Sequence, residues 1–80
     1  MFHKIKSIKP STNYCIIVVF ENDETKTYNV SKLFDKYPSY RALETIHGLF
    51  KQVKVDKGGY GISWNDELDI SCNELYYNSK

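Results

Sequence analysis

The sequence predicts an α+β domain in which a small antiparallel sheet of about five strands packs against helices on one face. Seven consecutive apolar residues at positions 14–20 are typical of a central strand, because the run is rich in β-branched side chains and too short to span a membrane. Residues 39–48 instead place apolar side chains three and four positions apart, which indicates a helix. A chain of 80 residues predicts one domain, residues 1–80.

The first half of the chain predicts a meander of three strands. Two isoleucines that are out of phase within residues 3–9 indicate a bulge in the first strand. Turn-forming residues at 10–13 and 21–24 lie on either side of the central strand. The third strand, residues 25–30, alternates polar and apolar side chains, as expected for a half-buried antiparallel strand.

The second half predicts a hairpin after the helix, and then a short helical turn. Residues 53–55 and 62–64 alternate as strands, and the segment between them contains three glycines that suit a turn. Ser71 and Glu74 form a capping-box pattern, in which each side chain bonds the backbone N–H of the other residue. A last helical turn should therefore run to about residue 77.

The predicted core follows from strand alternation and helical spacing. Its members are Ile16, Val18, Phe20, Tyr28, Val30, Leu43, Ile46, Val53, Val55, Ile62 and Trp64. Cys15 lies in the central strand and should pack as a small hydrophobe. Cys15 and Cys72 share no Cys-x-x-Cys spacing, so we expect two reduced thiols without a metal ion.

Composition and charge argue against several classes of function. Eleven Lys and Arg against ten Asp and Glu give a net charge of +1, which implies no overall attraction to nucleic acid, anionic lipid or acidic substrates. The first residues carry no export signal, so the expected compartment is the cytoplasm, and no membrane partner is predicted.

Candidate catalytic groups are few, and each has a structural interpretation. Asp66, Glu67 and Asp69 lie in a polar turn that offers no apolar pocket to separate the pKa values of an acid and a base. Neither histidine has ligands or a nucleophile motif at a suitable spacing. The glycines of residues 58–61 lead into a strand, which favours a hairpin over a phosphate loop. We expect no enzyme activity, no cofactor and no metal; an enzyme that uses these carboxylates would need a deep pocket at the turn.

Tyrosine is the most distinctive residue type, with seven in the chain. Those near turns and near the last helix suit protein contacts, because exposed aromatic side chains commonly anchor interfaces. The candidate partner-binding residues are Tyr60, Tyr76 and Tyr77.

An alternative function uses the lysines of the first and fourth strands. If these strands expose neighbouring faces, their side chains would form a basic stripe able to bind nucleic acid. The stripe would include Lys9, Lys51 and Lys57, and its principal candidates are Lys4, Lys6 and Lys54.

Several segments together resemble a known bacterial family, domain of unknown function 2442. The likeness covers nearly the whole chain and is densest in the final third. It is carried by the apolar strand ending in Phe20 and by residues 28–31, 49–53, 53–59, 62–64, 68–70 and 74–76.

This resemblance implies a small cytoplasmic α+β domain that is often encoded beside another small protein, in pairs proposed as toxin–antitoxin modules. The family has no established catalytic residues, so none is carried over to this sequence. We therefore expect a non-enzymatic domain that binds a small protein partner, plausible as the antitoxin-like member of a pair. A nucleic-acid-binding or transcription-associated module is the alternative.

Overall fold

Six short strands and two short helices make up the regular structure of the computed structural model, which describes residues 1–80. The strands are β1 (Ile5–Pro10), β2 (Cys15–Phe20), β3 (Thr25–Asn29), β4 (Lys54–Val55), β5 (Gly61–Ser63) and β6 (Asp69–Ser71). The helices are α1 (Ala42–Thr45) and α2 (Cys72–Asn78), and short 3-10 turns occupy much of the remaining chain. The predicted α+β class is confirmed.

The strands form two antiparallel sheets rather than one. The first sheet has the order β1-β2-β3 and the second has the order β4-β5-β6. The apolar run at 14–20 does supply the central strand of the first sheet, and the predicted bulge in β1 is present as a register shift between Ile5 and Ser7. The sequence prediction lacked the sixth strand, β6, which consists of three residues directly before α2.

The two sheets meet where the β4–β5 connection lies against β1. Gly59 has a φ of +80°, and a Cβ atom at this position would lie 2.7 Å from the backbone oxygen of Ile5. Only glycine accommodates both this conformation and this approach. Although β1 lies beside β4, the two strands share no ladder, which is why the sheet is divided.

One continuous hydrophobic core contains residues of both sheets and of α2. In β2, Ile16, Val18 and Phe20 are buried and alternate with partly exposed residues, as predicted. Of the other predicted core residues, Tyr28, Val30, Leu43, Ile62 and Trp64 are also buried. Val53 and Val55 are half-buried against the core. Seven buried core residues are absent from the predicted list: Ile5, Phe34, Leu49, Leu68, Ile70, Cys72 and Leu75.

The predicted helix over residues 39–48 is present in part: residues 39–45 are helical, and the helix ends before residue 46. A 3-10 turn at Pro38–Arg41 leads into the four residues of α1, and Ile46 then adopts an extended conformation with φ −95° and ψ 112°. The helical spacing that placed Ile46 in the core therefore does not apply, and its side chain is 54% exposed.

The predicted cap of α2 is confirmed in one of its two bonds. The Ser71 Oγ accepts a hydrogen bond from the Glu74 backbone N–H at 3.2 Å. The Glu74 carboxylate does not return this bond, since it accepts from the Tyr28 hydroxyl and from Asn78 Nδ2, each at 2.9 Å. Glu74 thus connects α2 to β3.

Both cysteines have free thiols. Cys72 is buried at the start of α2, whereas Cys15 is only half-buried, so Cys15 acts as a core hydrophobe only in part. None of the helices has the length and hydropathy needed to cross a lipid bilayer.

Candidate protein-interaction surface

The segment before β1 is fixed to α2 by the side chain of Asn73. Its Oδ1 accepts a hydrogen bond from the His3 backbone N–H, and its Nδ2 donates to the Met1 carbonyl, both at 3.0 Å. Because the oxygen and the nitrogen of one side-chain amide both hold the segment, residues 1–3 have a defined position beside the C-terminal helix.

Tyr76 lies beneath this segment and is half-buried. Its ring stacks on the imidazole of His3, with centroids 3.6 Å apart and planes 4° apart, and packs edge-on against the buried Phe20 at 5.0 Å. The ammonium of Lys26 lies 4.0 Å from the centroid of the same Tyr76 ring. Tyr76 is therefore an internal packing residue of this region.

The hydroxyl of Tyr76 adds a charge-assisted contact, because it donates a hydrogen bond to the Glu24 carboxylate. This bond lowers the pKa of Glu24 and raises the pKa of Tyr76, since it stabilises the ionised carboxylate and the neutral phenol. It also links α2 to the turn between β2 and β3.

Tyr77 is the exposed neighbour, with 66% of its surface accessible. Its hydroxyl is hydrogen-bonded to His3 Nε2 at 2.9 Å, and its ring lies edge-on to the imidazole at 5.2 Å. The side chain is thus oriented by His3 while most of the ring faces solvent.

Tyr60 lies on the other side of the N-terminal segment and is 47% exposed. The ring of Phe2, itself 64% exposed, packs edge-on against it at 5.2 Å, and the Lys4 ammonium lies 5.1 Å from its centroid. The Tyr60 carbonyl accepts a hydrogen bond from the Cys72 backbone N–H, which fixes this turn to the start of α2.

Phe2, Tyr60 and Tyr77 are exposed aromatic residues on or beside the N-terminal segment, and we call these three residues the aromatic surface. They are three of the six large hydrophobic residues that the fold leaves exposed, and residues 2 and 3 connect them. The structure therefore brings the predicted Tyr60 and Tyr77 to the same segment, and places Tyr76 below it. Phe2 and His3 were not among the candidate partner-binding residues predicted from the sequence. The only sequence signal for them is that an aromatic residue lies close before the first strand.

Of the principal candidate lysines, Lys6 lies on β1 and Lys54 on the neighbouring β4, while Lys4 directly precedes β1. Lys6 pairs with Asp23 at 3.3 Å, and Lys4 covers Tyr60. Lys54 is exposed on β4, opposite Ser63 of β5. Lys4 and Lys6 thus have an aromatic or an acidic partner, whereas Lys54 and the further candidates Lys9, Lys51 and Lys57 have neither.

The acidic turn after β5 is organised by Asn65, whose Oδ1 accepts hydrogen bonds from the backbone N–H groups of Glu67 and Leu68, both at 2.9 Å. Asp66 and Glu67 are exposed, and neither lines the cavity beside Asp69. Asp69 is one of the residues that line a cavity of about 270 Å³. There the Tyr40 hydroxyl donates to the Asp69 backbone oxygen at 2.6 Å, and burial raises the pKa of Tyr40.

No group of three or more His, Cys, Asp or Glu side chains is close enough to share a metal ion.

Comparison with known proteins identifies the family. The model of the family described as Protein of unknown function (DUF2442) matches residues 5–80. The chain belongs to the DUF2442 family. The match begins at the first residue of β1, so this DUF2442 chain carries Phe2 and His3 just outside the matched region. No curated protein and no solved structure matches it.

Proposed function

We propose that this DUF2442 protein is a non-enzymatic interaction module that binds a second small protein through the aromatic surface. The observation that carries the proposal is the exposure of Phe2, Tyr60 and Tyr77 along one segment, when the fold buries most of its other large hydrophobic residues. Grouped apolar side chains of this kind mark protein contacts more often than isolated ones do.

The rings suit this role because they are held in place before any partner arrives. Tyr77 is oriented by its hydrogen bond to His3, and Tyr60 contacts both Phe2 and the Lys4 ammonium. Binding then loses little side-chain entropy, which is one reason that rigid aromatic residues dominate binding energy at interfaces. Each phenol also offers a polar group at the rim of an apolar contact.

The partner we propose is a small protein encoded by an adjacent gene, with this chain as the antitoxin-like member of the pair, acting in the bacterial cytoplasm. This part of the proposal is supported by what the family resemblance implies. We propose the aromatic surface as the location of this contact. Nucleic acid is a less favoured partner, since two of the three candidate lysines already contact other side chains of the protein.

The test is co-expression with the product of the neighbouring gene, followed by titration calorimetry of the purified proteins. Substituting Phe2 and Tyr77 together with Ala should weaken the complex by about 2 kcal/mol or more, roughly 30-fold in Kd. Ile46→Ala is the matched control, because Ile46 is 54% exposed and lies outside the aromatic surface. Equal affinity of the double variant and the control would refute the proposal.

Tyr76 is deliberately left unchanged in this experiment. Replacing Tyr76 as well would disturb the fold, because its side chain contacts Phe20, His3 and Glu24. A loss of binding in such a variant would not separate a broken interface from a disturbed fold.

A further inference from the structure

The outer edge of the first sheet is formed by β3. Strand β3 pairs with β2 on one side only, and in an antiparallel pair alternate residues direct their backbone groups away from the partner strand. Thr27 is one of the outward residues, since its N–H and C=O are both bonded to residue 80 rather than to β2. By the same alternation, Thr25 and Asn29 also direct their backbone groups outward.

Residue 80 occupies this edge as a one-residue strand. The Thr27 N–H donates to the Lys80 carbonyl at 2.8 Å, and the Lys80 N–H donates to the Thr27 carbonyl at 3.0 Å. This reciprocal pair is the hydrogen-bonding pattern of an added antiparallel strand. The edge of β3 therefore already holds a short extended segment in register.

The covering segment fills the edge only in part. Residue 80 bonds only Thr27 among the three outward residues, and the Asn29 carbonyl begins the 3-10 turn at Val30–Leu33, so the remaining outward groups are those of Thr25 and the Asn29 N–H. The Ser79 hydroxyl is buried without a hydrogen-bond partner, which is unfavourable. A cavity of about 430 Å³ remains beside the edge, lined by Cys15, Thr27, Asn29, Lys32, Asn78 and Lys80.

Two lysines, Lys26 and Lys32, lie at this edge, with their ammonium groups 4.0 and 4.2 Å from the ring centroids of Tyr76 and Tyr28. The ammonium groups of Lys26 and Lys32 donate to the carbonyls of Tyr76 and Asn78, at 3.0 and 2.8 Å, and neither forms an ion pair with a carboxylate. An incoming strand with acidic side chains would supply the missing counter-charges.

We propose that the outer edge of β3 is a docking site for an extended acidic peptide strand, which replaces residues 79–80. The incoming strand would pair with Thr25, Thr27 and Asn29, while its carboxylates approach Lys26 and Lys32. This site is separate from the aromatic surface, so it stands or falls independently of the protein partner proposed above.

The test uses the full chain and a synthetic probe, an end-capped octapeptide of alternating Glu and Val. Lys80→Pro removes the N–H that residue 80 donates to Thr27, and the extended conformation of Ser79, with φ −99° and ψ 166°, is compatible with a following proline. Lys80→Ala keeps both main-chain bonds and is the matched control. Lys80→Pro should bind the probe about fivefold more tightly than Lys80→Ala, the effect of one competing main-chain hydrogen bond.

A second variant locates the bound strand. In the Lys80→Pro background, Thr27→Pro removes the central edge N–H and should weaken probe binding at least fivefold relative to Thr27→Ala. Amide exchange measured by NMR on Lys80→Pro alone should show protection of Thr25 and Asn29 when the probe is added.

Three results would overturn the proposal. The first is that no variant binds the Glu–Val probe, which would leave residue 80 as an edge cap only. The second is equal binding of a Lys–Val octapeptide, which would remove the charge argument. The third is probe binding that leaves the amide exchange of Thr25 and Asn29 unchanged, which would place the peptide elsewhere; this measurement does not depend on the folding of Thr27→Pro.

Discussion

The hydrogen bond between Tyr28 and Glu74 should make a measurable contribution to stability. Tyr28 is fully buried in β3, and its hydroxyl donates to Glu74 Oε2 at 2.9 Å. Tyr28→Phe removes this donor and keeps the aromatic ring, together with the Lys32 ammonium 4.2 Å from its centroid. The variant therefore isolates the hydroxyl.

The expected loss is about 1.5 kcal/mol. A hydrogen bond to a charged group contributes roughly 1.5–3 kcal/mol. The lower end applies because Glu74 is only half-buried and keeps its bond from Asn78, so the substitution leaves no unsatisfied buried charge. For a chain of 80 residues this corresponds to a fall in Tm of about 6–12 °C.

Urea denaturation of the wild type and of Tyr28→Phe at pH 7 measures the difference, with equal m-values showing that the comparison is valid. Tyr40→Phe is a matched control, because the Tyr40 hydroxyl donates to a neutral backbone oxygen and should contribute about 1 kcal/mol. A double-mutant cycle with Glu74→Ala then gives the coupling between the two side chains.

The same bond gives a pH dependence of known sign. Burial, together with the hydrogen bond to the Glu74 carboxylate, raises the pKa of Tyr28 above its usual range in the folded protein. Above about pH 10 the unfolded chain ionises at this residue while the folded chain does not. The wild type should therefore lose stability relative to Tyr28→Phe as the pH rises past 10.

Either of two results would refute this reasoning. One is a coupling energy near zero between Tyr28 and Glu74, which would mean that the bond contributes nothing net to folding. The other is a stability difference between the wild type and Tyr28→Phe that does not change above pH 10.

Three further predictions concern the core, the helix cap and the alternative function. Val18 is fully buried, so Val18→Ala should lower the free energy of unfolding by about 2 kcal/mol, and an unchanged urea midpoint would contradict the packing of β2. Ser71→Ala should cost about 1 kcal/mol in thermal unfolding, while Ser71→Thr, which keeps the capping oxygen, should lie closer to the wild type. We expect no oligonucleotide retardation in gels; binding that weakens steeply between about 50 and 200 mM salt and depends on Lys54 would favour the nucleic-acid alternative.

The local elements were predictable where the pattern was strong. Residues 14–20 determined the central strand because no other arrangement buries alternate β-branched side chains so fully. The bulge in β1, the Ser71 cap and the α+β class also followed from short-range patterns, since each depends on residues close together in sequence. The tyrosines near the last helix could likewise be identified as candidates from position alone.

Tertiary structure decided which of those tyrosines is exposed. Tyr76 and Tyr77 are adjacent and identical in type, yet Tyr76 packs on Phe20 and His3 while Tyr77 faces solvent. The difference arises because the N-terminal segment, more than seventy residues away along the chain, lies over one ring and beside the other. No spacing rule within α2 contains that information.

The division into two sheets and the outward position of Ile46 have a similar cause. A helix of four residues gains little from propensity, so the contacts of α1 with the rest of the fold decided where it ends. The approach of Gly59 to the backbone of Ile5, and the pairing of Lys80 with Thr27, join residues that are far apart in the chain. The sequence by itself determined five of the six strands, the Ser71 cap and eight of the fifteen core residues. Long-range packing alone decided how the sheets meet, which edge of β3 is covered and which aromatic rings remain free to bind.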